Sequence, residues 1–193
     1  MVGHQVEISI LQFPQDCGRW NLVTRFFELR KAVFVDRMNW DLYHRADMEF
    51  EQYDYFGAVY VIAHRDDEVV GGARLIRTDW AFGSGKMVYS YMIRDAFFDH
   101  LPGLPSDICA DEPPVDPRVW ELTRLTATQP GVAELVLSAV NVWLRQIEAT
   151  CCLFLGPPAF LRMAQRMGFE PKPMGSITGN RDGRFLAFSC AVV

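Results

Sequence analysis

Long hydrophobic runs are missing from this chain. No apolar stretch approaches the roughly 18 residues of a membrane-spanning helix, although half of the 193 residues are hydrophobic. The opening MVGHQVEISI has neither the basic start nor the long apolar core of a secretory leader, so a cytoplasmic setting is expected. Positive charge is in deficit, with 19 Lys and Arg against 24 Asp and Glu, a net charge of −5. The basic residues are scattered and form no tail, which argues against nucleic-acid binding. Histidine is scarce: His4, His44, His64 and His100 show neither metal-ligand nor triad spacing. Cysteine is odd in number (Cys17, Cys109, Cys151, Cys152, Cys190) and no pair has the spacing of a metal site. Adjacent Cys151 and Cys152 sit in an apolar run, where packing is their expected role. No metal is therefore expected. The absence of a Gly-x-Ser-x-Gly segment excludes the nucleophile elbow of the α/β hydrolases. No internal repeat and no low-complexity stretch is visible.

The composition that remains is that of a folded domain. Its apolar content excludes global disorder, and its length suits a single domain over residues 1–193 with a substantial core. Fourteen Phe and five Trp are many for this length; most belong to core packing, and the remainder suit an apolar or aromatic pocket.

Periodicity outlines the elements. Val6, Ile8 and Ile10 alternate with polar residues in a strand over Val6–Phe13, broken by Pro14–Gly18. A helix fits Trp20 to about Val35, with Leu22, Val23, Phe26, Leu29 and Val33 on one face and Arg30 bordering it. Met38–Asp54 is charged and aperiodic, a long functional loop. Ala58–His64 and Val69–Ile76 flank the polar turn Arg65–Glu68 as a hairpin. A strand over Tyr89–Ile93 and a short helix over Arg94–Leu101 follow, then an irregular proline-rich connection from Gly103 to Pro117. Next come a strand at Trp120–Thr126 and a helix from Pro130 to about Glu148 with Leu135, Ala139, Val142 and Ile147 as its apolar residues. A strand at Cys151–Leu155, a helix at Pro158–Met167 stopped by Gly168, and a strand at Phe185–Val192 complete the chain. The fold class is α/β (α+β), antiparallel in its first half, with a strand–helix–strand crossover from Trp120 to Leu155 that makes two strands parallel neighbours. A three-layer N-acetyltransferase-like mixed sheet flanked by helices, its central parallel strands splayed, has this shape; that is a fold analogy and says nothing by itself of function.

One run is unusually dense in chemistry. Arg30–Asp54 holds Arg30, Phe34, Trp40, Glu49, Glu51 and Asp54. Aromatic faces for a cation, carboxylates for its charge and an arginine for a carboxylate suit a cationic, sulfur-bearing metabolite. GGARL (Gly71–Leu75) adds Arg74, and WELTRL (Trp120–Leu125) adds Glu121 and Arg124.

These residues resemble the signature of the acyl-homoserine lactone synthases, the quorum-sensing autoinducer synthases. Arg30, Phe34 and Trp40 have the family's spacing, and Glu49-Phe50-Glu51-Gln52-Tyr53-Asp54 matches its Glu-x-Asp-Gln-aromatic-Asp, with Glu51 where the family has Asp. Arg74, Phe97 in YMIRDAF, and the pair Glu121 and Arg124 complete nine matches in order over roughly residues 20 to 170. The resemblance implies an acyltransferase that joins an acyl group, delivered as a thioester of acyl carrier protein or CoA, to the amine of S-adenosylmethionine. Closure of the lactone then releases methylthioadenosine. S-adenosylmethionine is a substrate, and no cofactor is implied.

The resemblance gives the residues roles. Glu121, with Asp54 or Glu51 assisting, takes the proton of the attacking amine, directly or through water. Phe34 and Trp40 hold the sulfonium by cation–π contact, or else they only staple the first helix. Arg30 grips the substrate carboxylate, or pairs on the surface with Glu28 or Asp36. Arg74, Phe97 and Arg124 line the substrate site; Arg74 alternatively pairs with Glu49 or Asp54, and Arg124 anchors the acids of the loop. The rival for Glu121 is a simple pair with Arg124, but the two lie three apart on a strand, so their side chains point to opposite faces unless a bulge intervenes. Phe154 stands near the position where some family members carry a threonine associated with 3-oxoacyl groups, which implies an acyl pocket for short, branched or aromatic groups unsubstituted at C3. Arg145, Arg162 and Arg166 either dock an acidic carrier protein or are solvated helix charges. The Gln/Arg-x-x-Gly-x-Gly pyrophosphate loop of ordinary acetyl-CoA transferases is absent after Leu125. The alternatives are another N-acyltransferase on the same sheet, or a non-catalytic binding module.

Overall fold

The computed structural model describes residues 5–85 and 87–193; His4 falls outside them. The expectation of one domain over 1–193 meets a chain that divides into two compact units, the first reaching Leu75 and joined by Arg124–Trp143, the second made of Ile76–Thr123 and Leu144–Val193.

In the first unit the alternating N-terminal residues form β1 (Glu7–Gln12). Its partner is β4 (Val59–Arg65), antiparallel from Glu7↔His64 to Gln12↔Val59. β4 turns through Asp66, which has a positive φ of 49°, into β5 (Glu68–Arg77). The hairpin register slips by one residue between Ala63 and His64, so that Tyr60 stands opposite Arg74. α1 (Trp20–Arg30) buries Leu22, Val23, Phe26, Phe27 and Arg30 along one stripe, so Arg30 lies inside the apolar face instead of at its border. The helix does not run on as α to Val35. Lys31–Arg37 widens into a π-helical turn, the form that recurs at functional sites. The long loop that follows carries only the two-residue strands β2 (His44–Arg45) and β3 (Met48–Glu49), paired antiparallel.

Two adjacent glycines set how closely helices approach β5. A Cβ on Gly72 would stand 2.8 Å from the Phe26 ring and 2.8 Å from the Val61 carbonyl oxygen. A Cβ on Gly71, which points to the opposite face, would stand 2.6 Å from Val132 and 2.9 Å from the Thr126 carbonyl oxygen. α1 packs on one side of β5, and α3 (Val132–Gln146) begins on the other.

The second unit holds the hairpin β6 (Phe82–Ser84) and β7 (Met87–Tyr89) and the short helix α2 (Met92–Phe97). The strand expected over Tyr89–Ile93 therefore ends at Tyr89, and the helix expected over Arg94–Leu101 starts two residues early and stops at Phe97. β8 (Val119–Ala127) passes from this unit back into the first. As the crossover predicts, β8 pairs in parallel with β9 (Cys151–Gly156), from Val119↔Cys151 to Leu122↔Phe154; β9 runs on past the last pair, the start of a splay. α4 (Pro158–Arg166) follows, with Pro158 in its first turn. β12 (Gly183–Ala191) is antiparallel to β9 and also takes up the short strands β10 (Lys172–Pro173) and β11 (Thr178–Asn180). The sheet is thus mixed and flanked by helices.

α3 corrects one expectation. Its buried side is Val132, Val136, Leu137, Val140, Trp143 and Leu144, whereas Leu135, Val142 and Ile147 are exposed. The helix is apolar on both sides, and periodicity alone selects the outer one. Among the described residues, no helix is long and apolar enough to cross a membrane, no group of three or more His, Cys, Asp or Glu is placed to hold a metal, and all five cysteines are free.

Candidate active site

In the first unit three arginines and three carboxylates close a ring. Arg30 Nε donates to Glu49 at 2.5 Å, and its two terminal nitrogens grip Asp54 at 2.8 Å each. Arg74 reaches Asp54 at 3.0 Å and donates to Glu51 at 2.7 Å. Arg124 closes the circuit with Glu51 at 2.8 Å and Glu49 at 3.3 Å. Charges alternate around the ring, and its formal sum is zero. Tyr60 Oη and the Glu51 backbone N–H both donate to Asp54, at 3.1 and 2.9 Å.

Each segment arrives for a local reason. The α1 stripe carries Arg30 inward over the rings of Phe26 and Phe27, 5.7 and 5.0 Å from its guanidinium carbon. The one-residue slip in the β4–β5 hairpin brings Tyr60 and Arg74 to the same place. Arg124 has a positive φ of 56° in the middle of β8. That is a bulge conformation costly for a residue with a Cβ; here the ring's two carboxylates hold the side chain.

Burial separates ring members into sealed and open. Arg30 and Arg74 are fully buried, with Glu49 and Asp54 at 0% and 2% side-chain exposure; Arg124 at 8% and Glu51 at 15% form the one edge that meets solvent. Burial works against the charged form of Asp54, but Arg74 and Arg30 more than offset it and hold the acid well below the ordinary carboxylate range. Burial opposes Glu49 in the same way, and Arg124 and Arg30 overcome it, leaving its pKa lowered. Burial also disfavours charge on Arg30, yet Asp54 and Glu49 raise its pKa above the ordinary value. Tyr60 is pushed well above its usual pKa by burial and by Asp54, so it remains a donor.

Beside the ring, the π-turn presents Phe34. The Trp40 backbone N–H donates to the Phe34 carbonyl at 2.9 Å, Asn39 takes a positive φ of 55°, and the two rings stack with centroids 5.1 Å apart and 10° between planes. The Arg124 guanidinium stands 5.9 Å from the Phe34 ring centre. Phe34 is buried and Trp40 half-buried.

The second unit holds Glu121, fully buried on β8. Its two oxygens accept from the backbone N–H groups of Met92 and Ile93 at 2.9 and 2.7 Å. The first turn of α2 has no side-chain cap of its own, and Glu121 supplies the acceptors from 28 and 29 residues away. This is why α2 begins earlier than local sequence suggests. Asp95 accepts from the Ser90 N–H at 3.0 and 3.1 Å, and Tyr91 Oη donates to the Pro114 carbonyl at 2.6 Å. Half-buried Phe97 projects from this anchored helix and meets Phe98 edge-on at 5.2 Å. Burial, then the charge of Glu121, lifts the Cys109 thiol to about 11. Phe154 stacks on Phe188 at 5.0 Å and meets Phe160 edge-on at 5.4 Å.

Several sequence-based roles need revision against this geometry. The fork of Arg30, expected on a substrate carboxylate or on Glu28 or Asp36, is taken up by Glu49 and Asp54; Asp36 is paired with Lys31 instead. Asp54, expected to assist as a base, is held as an anion between two guanidinium groups, which makes it a weaker base than an ordinary carboxylate. The separation of Glu121 from Arg124 follows their spacing: one bonds α2 amides and the other bonds the loop acids. Tyr60, Tyr53 (5.6 Å under the Arg74 guanidinium) and the amides of Met92 and Ile93 escaped the sequence reading. Tyr60 could be found only by counting the hairpin register with its slip included.

A mixed sheet whose central parallel strands stop pairing part-way, flanked by helices, defines an N-acyltransferase-type fold. A Lactobacillus plantarum protein provisionally named an N-acetyltransferase superposes on 97% of this chain and 99% of its own, with a TM-score of 0.61 and 14% identity. Residues 18–168 match the family described as autoinducer synthase; the chain belongs to that family. An acyl-homoserine-lactone synthase from Pseudomonas aeruginosa is 27% identical over 138 residues, 70% of this chain and 58% of the relative. The structure of the CoA-dependent acyl-homoserine lactone synthase BjaI with MTA has a TM-score of 0.82 at 20% identity, over 98% of this chain and 84% of that one. The chain spans about half the length of the curated relatives it matches, 58% of the first and 46% of the second.

Proposed function

We propose that this chain is an acyl-homoserine lactone synthase acting on S-adenosylmethionine and an acyl thioester to make a quorum-sensing signal. Family membership supports the reaction class, and the observation that carries the substrate is the open edge of the charge ring. An amino-acid zwitterion needs a carboxylate for its ammonium and a guanidinium for its carboxylate, and Glu51 and Arg124 are the ring members with exposure to meet it. The sulfonium lies against Phe34 and Trp40. Arg30, Glu49, Asp54 and Arg74 act as the frame that holds the edge, and Arg74 acts through Glu51.

The substrate ammonium first loses a proton. Its nitrogen attacks the thioester carbonyl carbon, the carbon–sulfur bond breaks, and the thiolate leaves as a thiol with a second proton from the nitrogen. The substrate carboxylate then attacks the γ carbon, the carbon–sulfonium bond breaks, and neutral methylthioadenosine leaves. Glu121 is the proposed proton acceptor, reached through water because its carboxylate is buried. A second reading is favoured by its two amide bonds: Glu121 is a positioning residue that sets α2 and with it Phe97. Loss of the base removes an ionisation from the pH–rate profile, whereas loss of an anchor raises KM and leaves that profile in place.

The donor is an acyl-CoA or an acyl carrier protein thioester. BjaI has also been solved with SAM and isopentyl-CoA, so a branched acyl-CoA is the first donor to try. Phe154 within its aromatic trio supports a short, branched or aromatic acyl group without a 3-oxo substituent. A reaction fed by S-adenosylmethionine and an acyl thioester suits a cytoplasmic setting. Mass spectrometry of lipophilic products from cells expressing the chain tests the reading: an N-acyl-homoserine lactone absent from control cells supports it, and its absence with abundant soluble protein rejects it.

A further inference from the structure

The outer side of α3 leaves a row of apolar and small side chains uncovered. Leu135 and Val142 are 49% and 53% exposed. With Ala139 half-buried between them and exposed Ser138 alongside, they fall at i, i+3, i+4 and i+7, one row of a helix. No charged residue interrupts that row. Of the fifteen residues of α3 only Glu134 and Arg145 are charged. Among the described residues neither has an ion-pair partner within the chain.

These two charges sit eleven residues apart, about three turns or 16 Å, and within about 20° of each other around the helix, so they share one flank of the row. In a parallel two-fold pair the charged flanks of the two copies fall on opposite sides of the seam, so Glu134 and Arg145 meet no charge of the other copy. In an antiparallel two-fold pair each Glu134 meets the Arg145 of the other copy. The midpoint of Glu134 and Arg145 falls between Ala139 and Val140, and that of Leu135 and Val142 between Ser138 and Ala139. Both pairings therefore use the same dyad to within about one residue. Small side chains at that point permit close approach. A partner of unrelated sequence has no reason to match both midpoints; a second copy matches them by symmetry.

We propose that α3 forms an antiparallel, two-fold homodimer contact, with Leu135 packed on Val142 of the copy and Glu134 paired with Arg145 of the copy. The contact is a single helix pair, so the dimer is weak and reversible. Sedimentation velocity of the full chain, from low micromolar to several hundred micromolar, tests it. The wild type is expected to show a concentration-dependent monomer–dimer equilibrium. Leu135→Glu should raise the dissociation constant about tenfold or more without lowering the thermal midpoint, since the side chain is exposed. Glu134→Arg and Arg145→Glu should each weaken the dimer, and the two together should restore it. A wild type that stays monomeric throughout overturns the proposal. So does a dimer indifferent to Leu135→Glu, or a double charge reversal no tighter than the single ones.

Discussion

Asp54→Asn is the sharpest probe of the charge ring. Asp54 accepts from both terminal nitrogens of Arg30, from Tyr60 and from the Glu51 N–H, and pairs with Arg74 at 3.0 Å. An amide of the same shape removes one negative charge, offers a single acceptor oxygen and turns its NH2 toward guanidinium donors. Two fully buried arginines then share the remaining acids. Breaking one partner of a buried ion pair costs about 3–5 kcal/mol, against a total stability of about 5–15 kcal/mol. For a chain of this size each kcal/mol shifts the melting temperature by roughly 2–4 °C, so a fall of roughly 6–20 °C is expected at neutral pH. The pH dependence has a definite sign. The folded-state pKa of Asp54 lies below its unfolded value, so its contribution is complete above about pH 5 and is lost as pH falls through about 4 and below. The gap between wild type and variant, measured by calorimetry, should therefore narrow from about pH 5 to pH 3. A variant within about 1 kcal/mol of wild type at neutral pH, or a gap that widens in acid, would show that the Asp54 charge does not hold the two buried arginines.

Three other outcomes are expected. Glu121→Gln should cut kcat by about 10²–10⁴-fold and remove a limb of the pH–rate profile if Glu121 takes the proton; an intact profile with a raised KM assigns it to anchoring α2. Gly72→Ala forces a methyl to within 2.8 Å of a ring and of a backbone oxygen, an overpacking of about 1–3 kcal/mol that should lower the melting temperature, and an unchanged melt would show that α1 can move away. Exposed Arg162 and Arg166 lie one turn apart on α4; reversing both to Glu should raise KM for a carrier-protein donor and leave KM for an acyl-CoA unaltered, and an unchanged carrier-protein KM would reject docking there.

The strands and helices were legible because burial imposes its period on sequence: β1, the β4–β5 hairpin, the β8–α3–β9 crossover and α4 all follow from alternation or helical spacing. The chemistry-dense run Arg30–Asp54 and the resemblance to the family signature also brought the ring's acids and arginines together. Their connectivity was not legible, because three non-periodic events decide it. A one-residue slip at Ala63 and His64 puts Arg74 opposite Tyr60; a regular hairpin would turn Arg74 to the other face. The positive φ of Arg124 turns that side chain toward the loop acids. The π-turn after Arg30 brings the Phe34 and Trp40 rings into a stack. The start of α2 was hidden for a related reason, since its acceptors come from Glu121, far along the chain. α3 misled because a helix apolar on two sides offers periodicity no way to choose between them.

The proposed synthase couples acyl transfer to lactone closure in one chain. Purified protein, S-adenosylmethionine and a branched acyl-CoA should release free thiol and methylthioadenosine in equal amounts, with thiol followed by a chromogenic disulfide and methylthioadenosine by chromatography. Equal yields dependent on both substrates are expected. Thiol release without methylthioadenosine would mark a simple N-acyltransferase and contradict the claim, as would release of neither product across CoA and carrier-protein donors.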